Sequence, residues 1–374
     1  MLTLWAEVNL SLLRENLRTV RKVARASSAE VLAIVKADAY GHGMKAVAKT
    51  LAAEGVDFFG VANLDEAMEL RKVCPKAKIL VLGSFHKGQL PDFLKSDIIP
   101  IVSGWEDVRA IARFLQNRRI PFAVHVKIDT GMGRLGIWHL EAAEFFEKIR
   151  RQKNIFVEGI FTHFSSADKK DEVFTKIQLS RFNQALETAS QFGLKPRYIH
   201  AANSLGILRF KDSHFNLIRP GIILYGINPG ADPAWKKGLS PILELKARIA
   251  FLKEVAKEQP ISYGASFITS HRTRIAVLPV GYSHGYRIGF SNKASIIVGG
   301  KRCPVVGQVT MDQTMLDLSG VPQARRWDPV TLIGQEGQTA VLVEELASLA
   351  ETIPYEILCS LHSRIPRIYK GLEN

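Results

Sequence analysis

The sequence predicts an α/β fold, a (β/α)8 barrel of the TIM type with a C-terminal mostly-β domain, and three observations carry that expectation. Eight short apolar, β-branched runs alternate with longer segments of helical period through the first two thirds of the chain. Beyond about Gly238 the period changes from helical to two. At 374 residues the chain is too long for one ordinary core and long enough for a barrel plus a second domain.

The opening run 2–8 reads as a strand ahead of a helix over 10–26, and the distant β domain is a candidate partner for it. The eight barrel runs follow at 31–35, 58–62, 79–82, 98–102, 122–128, 156–162, 198–201 and 216–219. Between them, 44–54, 64–73, 105–116, 140–152 and 172–192 place apolar residues three and four apart, as helices do that lay one face on a sheet. Strands that alternate with helices in this way argue for a parallel barrel, because each crossover covers one barrel face.

The segment 228–233, Asn-Pro-Gly-Ala-Asp-Pro, disfavours regular structure and marks the boundary. The barrel is therefore assigned to 9–233 and the β domain to 234–374, with strand 1–8 a candidate member of the latter. In the second domain Leu243, Leu245, Ala247, Ile249 and Phe251 alternate with Glu244, Lys246, Arg248 and Ala250, the pattern of a strand with one buried face. Further strands are expected at 274–280, 295–298, 303–308 and 330–333, with Gly299-Gly300 as a turn.

The formal charge of +14 raises the question of a nucleic-acid partner. Lys and Arg are scattered, however, and no zinc spacing, RNP-like aromatic motif or basic arm accompanies them, so the charge reads as solvated surface. Cys74, Cys303 and Cys359 are few, odd in number and far apart, which suggests reduced thiols and offers no metal spacing. The first residues carry Glu7 and no leading basic cluster, unlike a signal peptide, and no apolar run approaches a membrane span. A cytoplasmic protein is expected.

The chemistry-bearing residues fall at the C-terminal ends of the barrel strands, where barrels of this type hold their active sites. Lys36 ends the first strand in Ala33-Ile34-Val35-Lys36-Ala37-Asp38-Ala39-Tyr40-Gly41-His42-Gly43. A primary amine fixed there can condense with an aldehyde, as lysine does with pyridoxal phosphate (PLP), although a lone lysine can equally lay its stem on the core and its amine in water. Arg134 follows the fifth strand, His163 ends the sixth, Asn203 and Ser204 follow the seventh, and Arg219 closes the eighth. Asn203-Ser204 and Gly221-Ile222 lie where such barrels commonly hold a phosphate, and are also compatible with ordinary turns and caps. His163 alone is compatible with a satisfied core histidine.

Taken together, the Lys36 segment, Lys127-Ile-Asp-Thr-Gly-Met-Gly-Arg134, Thr162-His163-Phe164, Asn203-Ser204 and Arg219-Pro220-Gly221 resemble the alanine racemase family over essentially the whole chain. The resemblance implies a PLP-dependent racemase that interconverts L- and D-alanine, supplies D-alanine for peptidoglycan, and works by two bases, Lys36 and Tyr263. Lys36 would carry the cofactor, Ser204 and the amides of Gly221 and Ile222 would hold its phosphate with Asn203 beside them, and Tyr40 and Ser363 would add hydroxyls. Arg219 would face the pyridine nitrogen, and a cation there disfavours its protonation by roughly 1–3 pKa units. A neutral ring favours racemisation over the chemistry of the related barrel decarboxylases, which present a carboxylate instead.

His163 would pack on the ring and link Arg219 to the second base. Tyr263, in Pro260-Ile-Ser-Tyr-Gly-Ala265, would reach the barrel of the partner in a homodimer. Met311 and Asp312 would cross with it and meet the substrate carboxylate together with Arg134, and Lys127 matches a lysine that is often carbamylated in the family. This chain departs from many members at Ser363, Thr310 and His284, which puts cofactor affinity and substrate breadth in question. The rival readings are a broader-spectrum amino-acid racemase and a non-catalytic PLP-binding protein. The presence of a β domain bearing Tyr263 argues against the latter, since carriage needs no second base.

Overall fold

The computed structural model describes residues 1–230, 232, 234 and 238–371. Of the boundary segment, Ala231 and Pro233 lie outside the described residues.

The eight barrel strands run Glu30–Ile34, Phe58–Val61, Lys78–Val81, Ile99–Val102, Phe122–Asp129, Ile155–Phe161, Tyr198–His200 and Leu217–Ile218. Each starts or stops within about a residue or two of the expected run, because buried parallel strands are written as continuous apolar stretches. Seven of the eight neighbouring pairs form parallel ladders, and the eighth strand returns to the first with Leu217 opposite Glu30 and Ile218 opposite Val31. Between the seventh and eighth strands the join is the Arg219 N–H, which donates to the Ala202 carbonyl at 3.0 Å. The backbone of Arg219 is thus part of the barrel's closure.

Helices Leu10–Ala24, Met44–Ala53, Leu64–Val73, Trp105–Phe114, Ala142–Ile149 and Val173–Gln191 cover the outside. Asn9 caps the first of them, its side chain accepting from the Ser11 and Leu12 N–H groups, and Asn63 caps the third through the Glu66 N–H. Short helix Leu90–Lys95, too brief to give a clear period, covers the next crossover.

The opening strand, Leu4–Asn9, joins the second domain's main sheet, antiparallel to Leu243–Arg248 and parallel to Arg367–Lys370. The expected single strand over 243–251 is two strands. The chain turns a corner at Ile249–Ala250 and continues as Phe251–Val255 in a separate three-stranded sheet. Ile249 is buried at that corner and its N–H donates to Asp328, while the Ala250 N–H donates to Val277, so the alternation persists across a change of sheet. Gly299 and Gly300, at φ +57° and +76°, make the two-residue turn between Ser295–Val298 and Lys301–Pro304. The strand expected over 303–308 stops at Pro304, and Gly307 at φ +76° packs against Ser262 instead.

This domain also carries two helices, Val343–Leu349 and Pro354–Ser360. The second brings Tyr355 back to the barrel. No helix among the described residues is long and apolar enough to cross a membrane.

Candidate active site

A cavity of about 640 Å³ opens where the barrel strands end, lined among others by Lys36, Tyr40, Lys127, Arg134, His163, Asn203, Ser204, Arg219 and Gly221. Lys36 follows the first strand with its side chain half-buried. Burial chiefly lowers its ammonium below the ordinary lysine range, with repulsion from Arg134 and, less, Arg219 adding to it, while Glu66 and Cys359 pull the other way.

The next four residues, Ala37, Asp38, Ala39 and Tyr40, all have positive φ of 52° to 54°. A left-handed turn of L-residues costs roughly 1–2 kcal/mol per residue, so its surroundings must impose it. Glu66 supplies part of that constraint. Its two carboxylate oxygens accept from the Ala37 N–H at 2.7 Å and the Ala62 N–H at 2.8 Å. Asp38 accepts from the Met44 N–H at 2.7 Å on the far side. Gly41, at φ +79°, lies so close to helix Pro354–Ser360 that a Cβ would sit 2.4 Å from the Leu358 carbonyl oxygen. Arg367 donates to the Gly41 carbonyl at 3.0 and 3.2 Å, so the C-terminal segment braces the turn. The result delivers Tyr40 into the cavity, its ring 5.2 Å from that of Tyr225 and 5.8 Å from that of Tyr355.

Across from that turn the Gly221 N–H donates to the Ser204 hydroxyl at 3.1 Å. A Cβ on Gly221 would meet the Tyr40 hydroxyl at 2.7 Å, so the glycine leaves the room in which a backbone amide and two hydroxyls converge. Asn203 does not donate into this corner. Its Oδ1 accepts from the Gly206 N–H at 2.9 Å to cap Ser204–Arg209, and its Nδ2 points at the Phe164 carbonyl at 3.4 Å. Ile222 opens the turn Ile222–Tyr225 and is fully buried.

Arg219 is buried and held by four acceptors. Its guanidinium donates to Nδ1 of His200 at 2.9 Å, to the carbonyls of Thr162 and Ala201 at 2.8 and 3.0 Å, and to Nδ1 of His163 at 3.3 Å. Burial lowers its pKa to about 9, which leaves it a cation at neutral pH. His163 is held well below the ordinary histidine range, by burial first and by Arg219 next, and is a neutral imidazole.

Arg134 sits at the end of a loop organised by Asp129. One carboxylate oxygen accepts from the N–H groups of Gly131, Met132 and Gly133 at 2.9, 2.8 and 3.2 Å, and the other from Arg134 at 3.1 Å. Burial raises the Asp129 pKa, but these four donors outweigh it and hold the carboxyl below its ordinary value. Lys127, two residues earlier on the same face of the strand, is buried, and burial with repulsion from Arg134 and Arg219 lowers it to about 8. With Lys36, Lys127, Arg134 and Arg219 lining it and Asp168 the sole lining carboxylate among the described residues, the cavity suits an anionic ligand. An aldehyde cofactor with a phosphate fits this donor set: a lysine of lowered pKa, and a corner of one amide and two hydroxyls.

Five residues expected near the site do not line this cavity, the fully buried Ile222 being one. Ser363 is exposed and borders a separate groove with Asp38, Lys45 and Arg367, because the chain after helix Pro354–Ser360 turns away from the barrel mouth. The residue of this segment that lines the cavity is instead Tyr355. Tyr263, 71 % exposed, and the exposed Met311 and Asp312 sit on neighbouring loops of the β domain, tied by the Ser262 hydroxyl donating to the Gln308 carbonyl at 2.7 Å. Among the described residues of one chain, none of the three lines the barrel cavity. Thr310 and His284 make local bonds in these loops, Thr310 with Gln313 at 2.9 Å and His284 with the Gly281 N–H at 3.3 Å.

The reading of the sequence also passed over Glu66, Asp129, Tyr355, His200, His125 and Glu158. A signal existed for three of them, since His125, Glu158 and His200 are titratable residues inside otherwise apolar strand runs.

Comparison with known proteins matches residues 8–229 to a family profile described as "Alanine racemase, N-terminal domain" and 242–369 to "Alanine racemase, C-terminal domain". The alanine racemase of Halothermothrix orenii is 39% identical over 367 residues, covering 98% of this chain and 97% of its own. That of Geobacter sulfurreducens is 43% identical over 374 aligned positions, covering 97% and 96%. Among solved structures, alanine racemase from Bacillus anthracis with bound L-Ala-P superposes with a TM-score of 0.92 at 33% identity, over 99% of this chain and 95% of that one. The enzyme from the D-cycloserine producer Streptomyces lavendulae gives a TM-score of 0.94 at 29% identity, over 100% and 98%.

Proposed function

The chain belongs to the alanine racemase family, and from that membership we propose a site shared between two copies of the chain, in which Lys36 of one subunit and the partner's Tyr263 exchange a proton with opposite faces of the alanine Cα. The protein is an isomerase acting on alanine, and the family works with PLP. The observation that carries the assignment of roles is the convergence of Lys36, Arg219 and the Ser204–Gly221–Tyr40 corner on one cavity.

The cofactor, when bound, supplies the electron sink that lets a proton leave Cα. Every other part falls to this chain. The Gly221 and Ile222 amides and the hydroxyls of Ser204, Tyr40 and Tyr355 would hold the phosphate. Lys36 would take or return the Cα proton on one face, and its lowered pKa favours the unprotonated amine this needs. Tyr263 of the partner subunit does the same on the other face. Arg219, which donates to His163, would present a cation to the ring nitrogen and disfavour its protonation, and His163 would back the ring and connect Arg219 to the second base. Arg134, with the partner's Met311 and the partner's Asp312, orients the substrate carboxylate.

Lys127 as an ammonium repels Arg134. A pKa of about 8 leaves part of its amine neutral at physiological pH, able to attack the carbon of CO2 and release one proton, and the carbamate so formed would attract Arg134 instead. Exposed apolar groups on the β domain, Tyr263, Met311, Tyr282 and Ile288 among them, support a homodimer whose partner covers them. We assign the enzyme to the cytoplasm, supplying D-alanine for peptidoglycan.

The test is to incubate the purified, PLP-loaded protein with single enantiomers of alanine, serine and larger amino acids. Conversion of either alanine enantiomer to an equal mixture supports the proposal. Turnover of the larger substrates at a comparable rate would instead mark a broad-spectrum racemase.

A further inference from the structure

A line of buried titratable side chains runs through the barrel interior from Arg219 at the cavity to the opposite mouth. Nη1 of Arg219 meets Nδ1 of His200 at 2.9 Å, and Nε2 of His200 meets Nδ1 of His125 at 2.9 Å. Nε2 of His125 faces one carboxylate oxygen of Glu158 at 3.6 Å, and the other oxygen accepts from Nζ of Lys78 at 2.5 Å. Nε2 of His125 and Oε2 of Glu158 are both buried and, among the described residues, neither has a hydrogen-bond partner, so they face each other. Lys78 opens its strand and is one-third exposed, so the line ends at solvent on the face away from the cavity.

The fold makes room for this line. A Cβ on Gly159 would lie 2.4 Å from Nδ1 of His125, and Phe161 stacks on His200 with centroids 4.7 Å apart and planes 1° from parallel.

The two ends dictate the protons between them. A guanidinium only donates, so Nδ1 of His200 must accept and its proton sits on Nε2. That N–H donates to Nδ1 of His125, whose own proton then sits on Nε2 and points at a carboxylate that only accepts. Both bonds, Arg219 to His200 and His200 to His125, run toward Glu158, and the last N–H faces its carboxylate at 3.6 Å. We propose that Glu158, at the far mouth of the barrel, is a positioning residue: through the forced tautomers of His125 and His200 it fixes the acceptor that holds the Arg219 guanidinium in the cavity. The role given to Arg219 rests on the function proposed above, whereas the proton arrangement does not.

The electrostatics agree. Burial lowers both histidines, consistent with neutral rings, and although burial raises Glu158, its bonds to His125 and Lys78 outweigh this and bring it to about 2, a carboxylate throughout.

Glu158→Gln tests the direction. The Lys78 ammonium demands the amide oxygen, which turns the amide NH2 toward Nε2 of His125 and sets donor against donor. The histidines then flip to the other tautomer and leave Nδ1–H facing Arg219. The primary measurement is 15N NMR of ring-labelled histidine in the PLP-loaded protein. The parent is expected to show His125 and His200 neutral with the proton on Nε2, and the variant to lose that pattern at both. A parent spectrum with Nδ1–H or a doubly protonated ring at either position overturns the proposal, whether or not the variant folds. Lys78→Met removes the demand on Glu158 while leaving a carboxylate for His125, so it should keep the parental tautomers, and a flip there also overturns it.

In turnover, Glu158→Gln should lower kcat about tenfold with little change in KM, and raise pyruvate released per racemisation event. Flipped tautomers with an unchanged ratio would overturn the claim that the line positions Arg219. A parent with the expected spectrum and no racemase activity would count against the proposed function alone.

Discussion

One carboxylate oxygen of Glu66 accepts a hydrogen bond from the Ala37 N–H at 2.7 Å, gripping the chain at the residue after Lys36. The strained turn 37–40 therefore depends on a side chain from the next crossover helix. Bonds from backbone N–H to a carboxylate are worth about 1.5–3 kcal/mol each, and Glu66 accepts two. Glu66→Ala should cost at least about 2 kcal/mol of stability and weaken PLP retention together, read by denaturant unfolding and by cofactor titration. Unchanged stability would show that the turn is held elsewhere.

Gly221 offers a separation of binding from stability. The added methyl of Gly221→Ala would lie 2.7 Å from the Tyr40 hydroxyl, at the end of a side chain that can shift. PLP affinity is expected to fall by about tenfold or more, equivalent to roughly 1.4 kcal/mol, while the melting temperature of the cofactor-free protein moves little. Gly41→Ala should do the opposite, since its Cβ would strike the Leu358 backbone at 2.4 Å from a φ of +79°, and the loss should exceed about 2 kcal/mol.

Lys127 gives a pH and CO2 dependence with a definite sign. With a folded pKa of about 8 against about 10.4 unfolded, the unfolded chain binds more protons between those values. A free lysine there thus costs stability at neutral pH, on the order of 3 kcal/mol, and the cost fades as pH rises from 8 to 10.5. Carbamylation removes it. Bicarbonate added to CO2-free protein at pH 7.5 should raise both the melting temperature and the activity, and Lys127→Met should abolish the response. No response in the parent would mean that Lys127 stays free.

Arg219 is expected to set the reaction specificity. Arg219→Glu replaces the cation at the ring nitrogen with a carboxylate that favours its protonation, and loses the bonds to His200, Thr162 and Ala201. Racemisation should fall by at least about 10²-fold and pyruvate released per racemisation event should rise. An unchanged ratio would remove the physical reason for preferring a racemase to a decarboxylase-like electronic design.

The barrel was legible because its strands are buried on both faces and are written as continuous apolar runs, so that even Leu217–Ile218, two residues long, was found. Residues at strand ends, from Lys36 to Arg219, follow from that count. What the sequence concealed has two causes. Ile249 preserves the apolar alternation while the backbone changes sheets, which period alone cannot register. Tyr355 reaches the cavity through a tertiary return of helix Pro354–Ser360, and no local pattern distinguishes it from the exposed Ser363 eight residues on. Glu66 acts through its carboxylate on the backbone of another element, a contact with no sequence signature.

The sharing of one site by two subunits is tested most directly by complementation. Lys36→Ala and Tyr263→Phe homodimers, the second slowed by about 10² to 10⁴, are mixed under subunit exchange and assayed for racemisation of L-alanine. Each heterodimer then holds one site with both bases intact, so activity should recover to about a quarter of the parental value at full exchange. If the mixture remains no more active than its two components although heterodimers form, Tyr263 does not serve the partner's site, and the two-base assignment across subunits is wrong.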